Sequence, residues 1–354
     1  MQLRKITLHR YEAPLKKPFV TALRRVDKLE SRIVRIETAS GVVGLGEVVP
    51  TPPITQETFE TIQEGFERIR QALMQARDGT FETMLTIIGK SDAKTPTKAA
   101  FESALFGIAS QQAGQPLWRF LQDYFDAHPP TMQGRTLQSD ITISVGDVAA
   151  TLRDAEDAVA RGYRHLKVKL DGDVTLGIER IRALHRRFPK IALRLDANQA
   201  FDVQGCVHLL QTLENDGIVC ECIEQPLPAD AIEGMAYVKA HTQTPMLADE
   251  SVFSYDQAEA IITADAADML NIKLAKTGGL REAARIAMLC KKHAMPAMMG
   301  CMLEGPVAIA TAAHFALAFC DTVRLVDLDA VDLLDDPPYD GDVVFEGARI
   351  VLPS

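Results

Sequence analysis

The chain has no uncharged apolar run of about 18 residues, the length a helix needs to cross a bilayer, and its opening stretch MQLRKITLHRYEAPL lacks the apolar core of a secretion signal. It is therefore expected to be cytoplasmic, without a membrane partner. An excess of positive charge is also missing. The net charge of -10 argues against nucleic acid and anionic lipid surfaces, since both require a basic face. Cysteine is sparse: Cys206, Cys220, Cys222, Cys290, Cys301 and Cys320 are scattered through apolar runs, as reduced core residues rather than a disulfide framework. The Cys-x-Cys pair at 220 and 222 has no neighbouring Cys or His cluster to make a zinc site. A glycine-rich phosphate turn after the first barrel strand is absent too, which counts against a dinucleotide fold.

What the chain does have is a rhythm. Residues 1–50 alternate as antiparallel strands with a turn at Ala39-Ser40-Gly41, and residues 56–125 are mostly helical by pattern, giving an α+β unit over 1–125. From residue 140 short apolar strands alternate with amphipathic helices. Thr142, Lys169, Asp196, Glu224, Asp249, Lys273, Met299 and Asp327 mark the strand ends at intervals of 24 to 28 residues. A strand, a helix and two loops need about that length, so residues 126–329 are expected to form an eight-stranded (β/α)7β variant of the TIM barrel. No eighth helix is legible. Residues 330–354 read as a loop and hairpin returning to the N-terminal unit.

Barrels of this kind keep their chemistry at the C-terminal strand ends. Five successive ends here are charged: Lys169, Asp196, Glu224, Asp249 and Lys273. One such charge alone is most simply a solvated strand end or a surface ion pair. Five in register at one end of a core are too expensive to be accidental. The three carboxylates supply oxygen ligands without His or Cys, which suits Mg²⁺ rather than zinc. Lys169 and Lys273 lie four strands apart in a ring of eight, so they face each other across the axis. A carbon held between them would offer one face to each amine, which is the geometry for removing a proton on one side and returning it on the other. Lys167 shares a strand face with Lys169. It would disfavour protonation of Lys169 and remain cationic itself, as a clamp for a substrate carboxylate.

Taken together, the motifs KVK (Lys167 to Lys169), LDANQ, IEQP, ADES and NIKLAKTGG resemble the enolase superfamily in its muconate-lactonizing subgroup. GVVGLGE and PLWRFLQ resemble that family's capping domain, so the likeness covers nearly the whole chain. It implies abstraction of a proton α to a carboxylate by lysine, with Mg²⁺ stabilising an enediolate, as the superfamily is known to do. It also implies that Asn198 and Glu250 stand behind the metal ligands, and that the protein assembles as a homo-oligomer. The VDLDA segment, with Asp327 and Asp329 on one face, resembles the pair by which dipeptide epimerases hold a substrate ammonium. Outside the resemblance, the competing reading is a helix cap or a surface acid pair. TALR, with Arg24, resembles the alanine-glutamate epimerases, whose arginine pairs with the glutamate side chain; outside the resemblance, Arg24 reads as a solvated loop residue. Arg25, Cys301 and Gly305 depart from the common pattern there. Thr142 and Cys301 would complete the substrate wall.

The resemblance thus implies epimerisation of a dipeptide at the second residue, of the L-Ala-L-Glu type. The nearest alternatives are a muconate-type cycloisomerase and an o-succinylbenzoate synthase, which share the lysines and metal but need no ammonium pocket. Acid-sugar dehydratases of the superfamily carry a His at the end of the seventh strand, whereas His293 precedes that strand. A silent binding barrel would have no physical need for opposed buried amines.

Overall fold

The computed structural model describes residues 1–21, 25–130, 134–335 and 337–354. Arg24 lies outside these. The N-terminal unit is an antiparallel sheet of β1 (Leu3–Val20), β2 (Arg25–Thr38) and β3 (Val43–Val48), followed by helices α1 (Pro52–Thr55), α2 (Phe59–Gln75), α3 (Phe81–Lys90), α4 (Thr95–Gln112) and α5 (Leu117–Phe125). The glycines of GVVGLGE are required by packing. A Cβ on Gly44 or Gly46 would sit 1.9 or 1.8 Å from the carbonyl oxygen of Ala104 or Ala100, so only glycine lets β3 lie flat on α4.

After β4 (Thr136–Gln138), eight parallel strands follow in barrel order: β5 (Ile141–Ile143), β6 (His165–Lys169), β7 (Ala192–Asp196), β8 (Cys222–Glu224), β9 (Met246–Ala248), β10 (Met269–Ile272), β11 (Ala297–Gly300) and β12 (Val323–Asp327). They alternate with α6 (Val148–Ala160), α7 (Val174–Arg187), α8 (Val203–Asn215), α9 (Ile232–His241), α10 (Tyr255–Thr263), α11 (Leu274–Thr277), α12 (Leu280–Lys292) and α13 (Pro306–Ala318). The eighth helix is reduced to the single turn α14 (Ala330–Leu333). Asp147, Asp173, Asp202 and Ser254 each accept a backbone N–H in the first turn of the helix that follows them, which fixes where those helices begin.

Period-two alternation sorts the strand residues. On β6, Leu166 and Val168 join the main apolar core beneath the helices, leaving Lys167 and Lys169 to the barrel interior. The interior floor is apolar, made by Cys222, Leu247, Met269, Met298 and Leu325. The C-terminal hairpin, β13 (Val344–Glu346) with β14 (Arg349–Val351), pairs with β4 rather than with the N-terminal sheet. It nevertheless reaches the N-terminal unit: Trp118 on α5 donates its indole N–H to the Pro353 carbonyl at 3.0 Å.

Two buried acids tie this unit to the barrel. Glu102 on α4 pairs with Arg281 at 2.6 Å. Glu47 on β3 accepts the Gly305 N–H at 3.0 Å, just before α13. Among the described residues, no helix is long and apolar enough to cross a membrane.

Candidate active site

The strand register brings the sequence-predicted charges into one row. Lys169 pairs with Asp196 across β6 and β7, and Asp196 with Glu224 across β7 and β8. Asp249 follows β9 and Lys273 follows β10. All of them are buried, and the lysines and Asp249 line a cleft of about 670 Å³ together with Thr142, Asn198, Glu250, Cys301, Asp327 and Asp329. Phe19, Thr21, Thr51 and Ile54 from the N-terminal unit close its outer side.

Within the cleft the amines and carboxylates are interleaved. Lys167 Nζ stands 2.9 Å from Asp196 Oδ2, 2.7 Å from Glu224 Oε2 and 2.6 Å from Asp327 Oδ2. Lys169 Nζ donates to Asp196 Oδ2 at 2.6 Å and to Asn198 Oδ1 at 3.3 Å. Lys273 Nζ lies 2.7 Å from Asp249 Oδ2 and 3.6 Å from Glu224 Oε1. Among the described residues no three acid, His or Cys side chains form a ready metal cage. The reason is visible in these contacts: the oxygens that the sequence assigns to a cation are held by ammonium groups.

The charge balance nevertheless fits a hard divalent cation. Six carboxyl groups (Asp196, Glu224, Asp249, Glu250, Asp327, Asp329) face four lysines (Lys167, Lys169, Lys273, Lys276) inside one buried volume. The surplus is expressed in the titration of the acids. Burial, then the carboxylates of Asp249 and Asp196, pushes Glu250 up to about 8, and its Oε2 is buried without a partner. Burial, then Asp327, pushes Asp329 up to about 6. Against the same burial, Lys167 and Lys169 hold Asp196 well below the usual carboxylate range, as Lys273 and Lys276 hold Asp249. Three anionic oxygen donors on adjacent strands, linked by shared cations, are the donor set Mg²⁺ favours.

Several positioning groups have no obvious strand-end signature. Lys276, on the turn after Lys273, is fully buried and gives its ammonium to Asp249 Oδ1 and to the carbonyl of Asn271. Its spacing of three from Lys273 within NIKLAKTGG is the signal that could have found it. Asn271, two residues before Lys273, holds Glu224 Oε1 at 2.9 Å. Gln225 Oε1 accepts the Asp249 N–H at 2.9 Å and the Ser251 N–H at 3.2 Å. Asn198 accepts from Lys169 and donates to Glu250 at 3.1 Å. It does so from a left-handed backbone with φ 43°, which asparagine tolerates better than most residues.

Both acids of the pair at the end of the last strand have protein partners. Asp327 is engaged by Lys167, and Asp329 Oδ2 accepts the Thr142 N–H at 2.6 Å. This follows from topology, since β12, β5 and β6 are neighbours around the closing barrel. Asp329 also has the Thr142 side chain as a hydrogen-bond partner, and both residues line the cleft. Cys301 is half-buried on the cleft wall, and burial holds its thiol well above the ordinary range.

Comparison with known proteins agrees with this architecture. The sequence model described as Mandelate racemase / muconate lactonizing enzyme, N-terminal domain, matches residues 4–121, and the one described as Enolase C-terminal domain-like matches residues 150–354. The L-Ala-D/L-Glu epimerase of Clostridium acetobutylicum is 34% identical over 99% of this chain and 96% of its own. The substrate-liganded structure of the L-Ala-D/L-Glu epimerase from Bacillus subtilis superposes with a TM-score of 0.93 at 34% identity, covering 100% of this chain and 97% of that one. A dipeptide epimerase from Enterococcus faecalis, solved with Mg and L-Leu-L-Tyr, gives 0.91 at 31% identity, covering 100% and 98%.

Proposed function

Because the chain belongs to the mandelate racemase and muconate lactonizing family of the enolase superfamily, we propose that it is a Mg²⁺-dependent dipeptide epimerase. It inverts the α-carbon of the second residue, with L-Ala-L-Glu as the type substrate. The observation that carries this reading is that Lys169 at the end of β6, Lys273 just after β10, Asp249 and Asp329 line one cleft, with Asp196 and Glu224 buried against its lysines.

Asp196, Glu224 and Asp249 would hold Mg²⁺, and the ion when bound would supply positive charge where negative charge develops on the substrate carboxylate. The rest belongs to the chain. Lys169 and Lys273 take up and return the α-proton on opposite faces of the carbon. A two-base exchange of this kind needs one amine neutral while the other is protonated. Lys273 is kept protonated here, its burial overcome by Asp249 and Glu224, which suits it to donate the proton as the acid of the pair. Lys167 is also held firmly cationic, since Asp196, Asp327 and Glu224 outweigh its burial, which suits a fixed electrostatic clamp better than a base. The Asp329 carboxylate receives the ammonium of the first residue. Lys167 therefore affects Lys169 by crowding and charge, while its own proton stays in place.

Proton NMR in D₂O with Mg²⁺ and a panel of L-Ala-L-Glu, hydrophobic and cationic dipeptides tests this reading. Loss of the second residue's α-proton signal with appearance of the L,D diastereomer is the expected result. No exchange in any dipeptide would favour the cycloisomerase or o-succinylbenzoate synthase reading, in which the carboxylates of β12 are structural.

A further inference from the structure

The barrel closes through side chains at its last joint. Its sheet runs in order from β12 to β5, and among the described residues no ladder joins those two edge strands. One backbone bond across the gap, Asp140 N–H to Val326 O, is long at 3.3 Å. Polar side chains supply the remaining links. Ser139 Oγ accepts the Leu328 N–H at 2.9 Å, and Asp329 Oδ2 accepts the Thr142 N–H at 2.6 Å. From β7, Arg194 Nη1 donates to Asp140 Oδ2 at 2.7 Å and to the Val326 carbonyl at 2.9 Å, while its Nε binds Glu221.

Arg194 is 4% exposed and Asp140 wholly buried, beside the apolar floor of the barrel, with His165 and Glu221 as the other polar groups at the guanidinium. A buried guanidinium there costs solvation, and replacement of such pairs by apolar residues is often neutral or stabilising. Stability alone is thus a weak reason for it. What distinguishes its place is the strand it grips. Val326 immediately precedes Asp327 and lies three residues before Asp329, so Arg194 fixes the end of β12 against residues 139–142, where backbone pairing fails to do so.

We propose that Arg194 is a positioning residue for the ammonium pocket: by clamping Val326 and Asp140 across the barrel seam, it sets where Asp329 meets the amino group of the substrate. The inference rests on the dipeptide reading above. Arg194 touches no substrate. Its guanidinium reaches Asp140 and Val326 from Nη1 and Glu221 from Nε, two separated nitrogens whose span the single ammonium of lysine cannot reproduce.

The test uses the whole enzyme with Mg²⁺ and compares the KM of L-Ala-L-Glu with the inhibition constant of propionyl-L-glutamate, the same molecule with hydrogen in place of the ammonium. The wild type should favour the dipeptide. Arg194→Lys should lose about tenfold of that preference through KM, with kcat and calorimetric Mg²⁺ affinity within about twofold. Ser139→Ala, which removes the acceptor for Leu328 on the same seam, should shift the preference in the same direction, and it decides the matter if Arg194→Lys does not fold. The proposal is overturned if both variants keep the wild-type preference, if dipeptide and propionyl analogue weaken equally, or if Mg²⁺ affinity falls in parallel. A wild type that turns over dipeptides without preferring the amine would overturn the ammonium pocket itself, and this inference with it. A wild type inactive on every dipeptide would instead remove the dipeptide reading.

Discussion

Lys167 and Asp327 are joined across the barrel at 2.6 Å, which ties the clamp on β6 to the acidic segment on β12. The pair spans β5, the strand between them, and links the two ends of the substrate site. Asp327 is held in its ionised form by this contact, against the burial that would raise it. The carboxylate that remains for an incoming ammonium belongs to Asp329.

Asp329→Asn should therefore raise the KM for a dipeptide by about tenfold to a hundredfold, the worth of a hydrogen bond to a charged group. Mg²⁺ affinity should change little. The native carboxyl, pushed up to about 6, is protonated below that pH and cannot pair with an ammonium. Dipeptide KM should accordingly fall as pH rises through 6 and then level off, and this step should vanish in Asp329→Asn. A variant that loses Mg²⁺ and dipeptide equally, measured by calorimetry beside kinetics, would make Asp329 structural.

Lys169→Ala and Lys273→Ala should each abolish epimerisation, with a fall in rate of at least 10²- to 10⁴-fold, the range for a positioned proton-transfer group. Because each amine serves one face of the carbon, each variant should retain solvent exchange on at most one diastereomer, and the two should differ in which. Deuterium incorporation into separate L,L and L,D substrates reads this directly. Full turnover in either variant would sink the two-base assignment.

Gly300→Ala tests the packing behind the amine. A Cβ there would sit 2.4 Å from Asn271 Oδ1 and 2.9 Å from Lys273 Cε. Asn271 holds Glu224 and Lys273 is one of the two amines proposed to exchange the proton, so one methyl group would displace both a carboxylate proposed for the metal and a proton-transfer group. A shift of about 1 Å in such groups can cost 10²-fold in rate, whereas overpacking typically costs only about 1–3 kcal/mol in stability. The expected variant is folded and Mg²⁺-competent, with kcat down about a hundredfold. Wild-type kcat in a variant with unchanged Tm would show that the amine has room to move.

These cases indicate what a sequence can carry. The strand ends were legible because charge is rare in buried strands, and because spacing of 24 to 28 residues reports one βα unit. Lys169, Asp196, Glu224, Asp249 and Lys273 stand out for both reasons. Asn271 and Gln225 do not, since an amide beside a strand end has the same appearance whether it faces water or holds a carboxylate. Arg194 and Asp140 were invisible for another reason: their importance comes from the absence of backbone pairing between β5 and β12, which is a property of closure and not of either strand. The engagement of Asp327 by Lys167 likewise depends on ring adjacency across 160 residues. Arg24 falls outside the described residues, so its part in choosing the side chain rests on TALR alone.

Glu304 offers a prediction about stability. It is buried between the N-terminal unit and the barrel, accepts the Met302 N–H at 3.0 Å, and is pushed up to about 7 by burial, with Glu47 adding to the effect. Its ordinary value is 4.5, so the folded protein holds this proton more tightly than the unfolded chain does. For such an acid, stability is fully present below about 4.5 and declines as pH rises to 7. Above that the cost is constant, on the order of 3 kcal/mol from the size of the shift. Glu304→Gln keeps an acceptor for Met302 and carries no charge at any pH. It should match the wild type near pH 5 and exceed it at pH 8 by about 2–3 kcal/mol in urea unfolding. The difference between the two pH values isolates the proton, because a change in packing alone would act equally at both. An equal effect at pH 5 and pH 8 would mean that the difference comes from packing and that the folded protein holds the Glu304 proton no more tightly than the unfolded chain does.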